Sequence, residues 1–370
     1  MPRLARLLVW TALALGGLSG GYARAASIDP QLLKPSLVEV EPGRHIHFAC
    51  VGKGPRTVVF EQGEDGAITS WRKVQGAVAA FARTCVYDRA GFGLSDPPKD
   101  QISGISVGDD LRRALRAADV SGPVVLVGHS IGGFYALMFA NRYPQQVAGL
   151  VLVDPGFAGQ FAPSSPKQLK RERQAMVKRD AGYLQCAALA KQGQISAENP
   201  QNCFQIPPDL SPEETAYYTR LKTQPNWYES EVAQASTYIP REGETESLSW
   251  RQERLARRDL GATPLVVLSS ATPPRESVQN DKVYAEFSSR WKTGQQALAK
   301  RSTKGEWIEV PDSGHDIQLD QPQVVVDAVK RVVEASAPPP AEAKPAKGKA
   351  KSRAKPKTGP KTGTPRKATR

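Results

Sequence analysis

Leu126-Val127-Gly128-His129-Ser130-Ile131-Gly132-Gly133-Phe134-Tyr135-Ala136 is the stretch on which the fold turns. The apolar run Val124 to Val127 stops at Gly128, and a helical pattern begins at once with Phe134, Leu137, Met138 and Phe139. That is strand, tight turn, helix. Ser130 falls at the apex, where the backbone is strained and the hydroxyl is pushed clear of the sheet, while Gly128 and Gly132 keep the turn free of Cβ clashes. The N–H of Ile131 points to where a negative oxygen would develop, and the start of the following helix favours negative charge at the same place. The five-residue pattern alone is common by chance, so its weight comes from its surroundings.

Upstream, Thr57-Val58-Val59-Phe60 reads as a short buried strand ending in Gln62-Gly63, and Cys85-Val86-Tyr87 as a strand running into Asp88-Arg89-Ala90-Gly91-Phe92-Gly93-Leu94-Ser95-Asp96. Far downstream, Ser313-Gly314-His315-Asp316 follows another strand. In this order the motifs resemble the α/β-hydrolase superfamily, over roughly residues 36 to 334 with a poorly matched middle. The resemblance implies an α/β fold: a mostly parallel eight-stranded sheet flanked by helices, with an inserted helical cap. In that family the 88–96 loop mainly shapes the catalytic edge, which makes Asp88 and Arg89 structural rather than catalytic.

Residues 1–25 have a basic start, an uncharged run from Leu7 to Leu18 and a small-x-small end at Ala23-Arg24-Ala25. This is the pattern of a cleaved secretory signal peptide, and the run is short of the ~20 residues a membrane span needs. The formal charge of +13 sits at the two ends: residues 336–370 hold eleven Lys and Arg against Glu342 alone, and Arg3, Arg6 and Arg24 lie in the leader. Residues 26–335 are therefore balanced, and the charge gives no specific nucleic-acid reading. The Lys/Pro-rich tail has almost nothing to bury and reads as disordered. It is either a solvated extension or a salt-sensitive attachment to an anionic cell-envelope surface.

The balanced part suits one large domain, with core segments at 26–155 and 264–335. Val147 to Val153 is a near-continuous apolar run, as in a parallel strand covered on both faces. From 156 to 263 polar helical segments take over, at Arg171 to Gln192, Pro212 to Lys222, Glu229 to Ser236 and Leu248 to Asp259. This insertion resembles a cap, and Phe157, Phe161, Tyr217, Tyr218, Trp227, Tyr228 and Tyr238 either line its inner face or form its own core. A cap excludes water and argues for a small or medium substrate.

Four histidines are present. His45 and His47 alternate on an early hairpin, where a half-exposed strand explains them without a metal, and His129 is pinned in the elbow. His315 remains as the base for Ser130. The acid is open: the family's usual loop, Ser269-Ser270-Ala271-Thr272-Pro273-Pro274, has no carboxylate, and Glu276 and Asp281 lie further on. Asp154, at the end of the preceding core strand, matches the place some capped members use, and is the preferred acid; its plain alternative is a turn-forming Asp before Pro155. By resemblance, the oxyanion is held by the N–H groups of Ile131 and of Glu64, whose carboxylate is uncomfortable there unless it points to solvent. The family's strand order also places Cys50 beside Cys85, and the preferred connectivity joins Cys186 to Cys203 as well.

A serine at the elbow points to acyl transfer, whereas epoxide hydrolases and haloalkane dehalogenases of similar architecture need a carboxylate there. Ester hydrolysis by an exported, periplasmic or secreted serine esterase leads. Amide or imino-peptide hydrolysis uses the same parts, and a catalytically silent binding protein is the reading from another class. No metal or organic cofactor is implied, and oligomeric state leaves no trace in the sequence.

Overall fold

Eight strands are laid down in the chain order β1 (Leu37–Glu41), β2 (Arg44–Val51), β3 (Thr57–Glu61), β4 (Arg83–Tyr87), β5 (Val124–His129), β6 (Val147–Val153), β7 (Leu265–Ser270) and β8 (Gly305–Val310). The computed structural model describes residues 27–160, 166–240, 243–273 and 281–337, so the expected leader and basic tail lie outside the described residues. The strands form one sheet in the order β1-β2-β4-β3-β5-β6-β7-β8. The pairs β1–β2 and β2–β4 are antiparallel, and from β4 to β8 every pair is parallel.

Parallel strands need covering on both faces, and the alternation of side chains shows how. Val58 and Phe60 of β3, Val125 and Val127 of β5, and Val151 and Val153 of β6 join one buried cluster, while Val59, Leu126, Leu150 and Leu152 join the other. Helix α1 (Gln75–Ala79) and the last helix cover the first face. On the second lie Leu111, Ala114 and Leu115 of α2 (Gly104–Ala117) and Ala136, Leu137 and Ala140 of α3 (Ile131–Arg142). Between β6 and β7 the chain forms α4 (Pro166–Lys191), α5 (Pro212–Lys222), α6 (Pro225–Tyr238) and α7 (Leu248–Ala256). After β7 come α8 (Asp281–Ala299), α9 (Ile317–Asp320) and α10 (Pro322–Ser336).

Local chemistry accounts for several boundaries. Ser211 and Glu214 make reciprocal cap bonds at the start of α5, with Pro212 in the first turn. Before β4 the chain forms a 3₁₀ turn at Ile68–Trp71 followed by the short α1, which ends ahead of Arg83, the residue that pairs with Thr57 as β4 begins. Helix α10 runs one residue past the expected end of the core at 335, and the Ser336 carbonyl accepts a bond of 2.7 Å from Arg56 Nε. Cys50 and Cys85 face each other in the β2–β4 register and are disulfide-bonded, as are Cys186 and Cys203.

The 88–96 loop is built from inside. Asp88, fully buried, accepts from His47 Nδ1 at 2.9 Å, the Leu94 N–H at 3.0 Å and the Tyr217 hydroxyl at 2.8 Å. Burial pushes the His47 imidazole down, but the bond and charge of Asp88 outweigh it and leave His47 raised. His45 lies against Asp96, and among the described residues no group of three or more metal-ligating side chains occurs. Arg89, 2% exposed, donates to Glu61 Oε1 at 2.7 Å, the Gln62 carbonyl at 2.6 Å and the Gly63 carbonyl at 2.9 Å. Both residues are structural braces. Arg89→Met removes the cationic partner of the buried Glu61 carboxylate, leaving it, among the described residues, the Tyr87 hydroxyl alone, and takes the donor from both carbonyls; it is expected to cost about 3–5 kcal/mol of stability in urea unfolding.

Candidate active site

Ser130 sits between β5 and α3 with φ 53° and ψ −126°, a left-handed backbone that a serine adopts only when its surroundings impose it. The imposing contacts are visible. The Ser130 N–H donates to the Val153 carbonyl at 3.0 Å, and its carbonyl accepts from the Gly133 N–H at 2.9 Å and the Gly156 N–H at 2.8 Å. The elbow is thereby tied to the exit of β6, where Asp154 stands next in the chain.

Asp154 is fully buried, with φ 41°. Its carboxylate accepts from His315 Nδ1 at 2.7 Å, Trp291 Nε1 at 2.9 Å, and the Ser270 N–H and hydroxyl at 3.0 and 2.8 Å. His315 lies in the loop after β8, and its carbonyl is bonded to His129 Nε2 at 3.0 Å. Since a carbonyl only accepts, Nε2 of His129 carries the proton. Burial, and then the neighbouring His315, press His129 down to about 4, so it stays neutral beside the serine. Of the other candidate acids, Asp281 is exposed in the first turn of α8, and Glu276 lies outside the described residues.

The turn after β3 packs directly on this elbow. A Cβ on Gly63 would stand 2.7 Å from His129 Nδ1, and one on Gly132 2.4 Å from the Gln62 carbonyl, so only glycine permits the approach. Ile131 is the first residue of α3, where an N–H has no carbonyl one turn back to bond. Glu64 follows Gly63 in the turn. Its carboxylate was expected to need open solvent, but it is paired with Arg179 of α4 at 2.6 Å while keeping 40% side-chain exposure. Protein crowding raises this carboxyl and Asp65 raises it further, against the pull of Arg179.

The insertion's aromatic residues divide between partners in the core segments and partners within the insertion. Tyr217 donates to Asp88, Trp227 Nε1 to Asp65 Oδ1 at 3.2 Å, Tyr228 to the Lys222 carbonyl at 2.6 Å, and Tyr238 to Gln160 Oε1 at 3.0 Å. Phe157 packs on Trp291, Tyr218 on Lys222, and Phe161 lies outside the described residues.

A family model described as the alpha/beta hydrolase family matches residues 66–328. The chain belongs to that family. Among α/β hydrolases of known structure, it is similar to a thermophilic esterase from Thermogutta terrifontis, with 20% identity and a TM-score of 0.53 over 82% of this chain and 100% of that one. A putative lipase from Acinetobacter baumannii gives 19% identity and a TM-score of 0.54 over 82% and 91%. At such identities the likeness is one of fold. The uncharacterized Bacillus subtilis protein YqjL is 23% identical over 74% of this chain and 82% of its own length. Other relatives match in part only: Bacillus subtilis YbdG is 29% identical over 35% of this chain and 40% of its own length, and an uncharacterized Schizosaccharomyces pombe protein is 51% identical over 20% and 14%.

Reading the sequence did not single out Trp291, Arg179, Lys222 or Glu231. Glu231 had a signal: it interrupts the buried stripe Trp227, Tyr228, Ala235 and Tyr238 of α6, where a carboxylate is out of place. Fully buried, with Asp65 and Glu64 near it and Lys222 and Arg89 opposing, it rises from 4.5 to about 8. The folded chain thus holds a proton there that the unfolded chain has released, so this residue's contribution to stability declines as pH rises from about 4.5 to about 8. Denaturant unfolding should show that decline in the wild type and a flatter profile in Glu231→Gln.

Proposed function

We propose that this α/β hydrolase is an exported serine esterase that cleaves a small or medium carboxylic ester through an acyl-enzyme on Ser130. The observation that carries the reading is the 2.7 Å bond between His315 and the buried Asp154, set beside a serine on a strained elbow. An Nδ1–H donated to Asp154 leaves the lone pair of neutral His315 on Nε2, the form a general base requires. His315 takes the Ser130 proton as the oxygen attacks the ester carbonyl, and the N–H groups of Ile131 and Glu64 bind the oxyanion. Collapse expels the alcohol, which receives that proton from His315. Water, activated by His315 in turn, releases the acid and restores the serine. The serine at the elbow favours this chemistry over routes that begin from a carboxylate nucleophile.

Export is supported by the two disulfides, which persist in oxidising compartments, and by the leader-like first 25 residues. Among the described residues no helix is long and apolar enough to cross a membrane. The basic tail is proposed to hold the protein to anionic envelope surfaces.

Purified protein should hydrolyse p-nitrophenyl esters within the series from acetate to palmitate. Ser130→Ala should abolish turnover, and Asp154→Asn should lower kcat by about 10²–10⁴-fold. Wild-type inactivity on every ester would turn the search to peptide-like amides. Deleting residues 336–370 should release the protein from cell envelopes at low salt, and equal sedimentation of both forms would remove the tail's proposed role.

A further inference from the structure

The turn that presents the Glu64 N–H has little to hold it from within. It runs from Gly63 to Gly66, Asp65 adopts φ 53°, and the Glu64 and Asp65 side chains are 40% and 51% exposed. Arg89 grips its base through the Gln62 and Gly63 carbonyls. Among the described residues, every other side chain bonded to its tip comes from the insertion. Glu231 of α6 accepts the Asp65 N–H at 2.8 Å. Lys222 of α5 pairs with the Asp65 carboxylate and donates to the Asp65 carbonyl at 3.3 Å. Its ammonium is enclosed, with 2% side-chain exposure, 4.2 Å from the Trp227 ring and 5.3 Å from that of Tyr218. Trp227 also donates to Asp65, and Arg179 of α4 pairs with Glu64.

Three separate helices of the insertion therefore converge on two residues. A buried lysine between two aromatic faces and a buried glutamate bonded to a main-chain N–H are costly to install, because each must be desolvated. Among the described residues, neither side chain has an ion-pair or hydrogen-bond role elsewhere in the fold that would offset that cost. Their shared target is the residue next to the oxyanion N–H, and oxyanion donors act only when held to within a fraction of an ångström.

We propose, resting on the serine-hydrolase reading, that the insertion forms the outer half of the oxyanion site, with Glu231 and Lys222 as positioning residues for the Glu64 N–H. Arg179 belongs to the same device: its guanidinium offsets the carboxylate that the chain carries at this turn, so that the developing oxyanion does not face an uncompensated negative charge. The insertion is then a working part of the catalytic apparatus as well as a cover.

The test joins hydrogen exchange, read by mass spectrometry on the full chain, with ester kinetics in Glu231→Ala, Lys222→Met and Glu231→Gln. Peptides spanning residues 62–67 should exchange about tenfold faster in the first two variants, with those of β5 and α3 unchanged. Their kcat should fall by about tenfold or more with KM little altered. Glu231→Gln keeps an acceptor for the Asp65 N–H, and should match the wild type in both respects. Unchanged exchange at 62–67 overturns the proposal, as does faster exchange with an unchanged kcat, or faster exchange spread across the whole sheet. Should the wild type turn over no ester, the ester reading falls by itself, and local exchange at 62–67 alone decides whether the insertion holds the turn.

Discussion

Four hydrogen bonds converge on the carboxylate of Asp154, and the carboxyl edge of the sheet is arranged to supply them. A fully buried carboxylate is expensive unless its lone pairs are met. Here the donors come from the end of β7, from α8 and from the loop after β8. The requirement fixes three elements relative to β6 at once, and through the Ser130 backbone bonds to Val153 and Gly156 it fixes the elbow as well. Several positions are thus set by one group: the carboxylate bonded to His315 also holds Ser270 and Trp291.

The parts of this arrangement written locally were legible in the sequence. The elbow announces itself because strand, turn and helix are all signalled within a dozen residues, and the sheet follows from apolar runs too uniform for one-sided burial. His315 emerged by elimination among four histidines. Asp154 was a preference, since a strand-end Asp before Pro has an ordinary use in turns, and its hydrogen-bond partners lie more than a hundred residues away at Ser270, Trp291 and His315. The segment from Ser269 to Pro274 was read for the carboxylate it lacks, whereas Ser270 is bonded twice to the Asp154 carboxylate. Contacts of that range leave no local pattern.

The turn after β3 shows the same limit in sharper form. A carboxylate beside the expected oxyanion N–H looked like a defect in the sequence. In the fold Glu64 has Arg179 beside it, drawn from a helix whose own sequence reads as plain polar surface. Charge balance at this site is a property of two segments that are meaningless apart, and so is the enclosed Lys222, whose counter-charge lies 157 residues away.

The end of α10 has a consequence of its own. Arg56, which holds the Ser336 carbonyl, lies just ahead of β3, at the amino end of the parallel strands, whereas Ser130 and Asp154 lie at their carboxyl ends. A strand of five residues spans about 17 Å, so the chain leaves α10 on the side of the sheet opposite the serine.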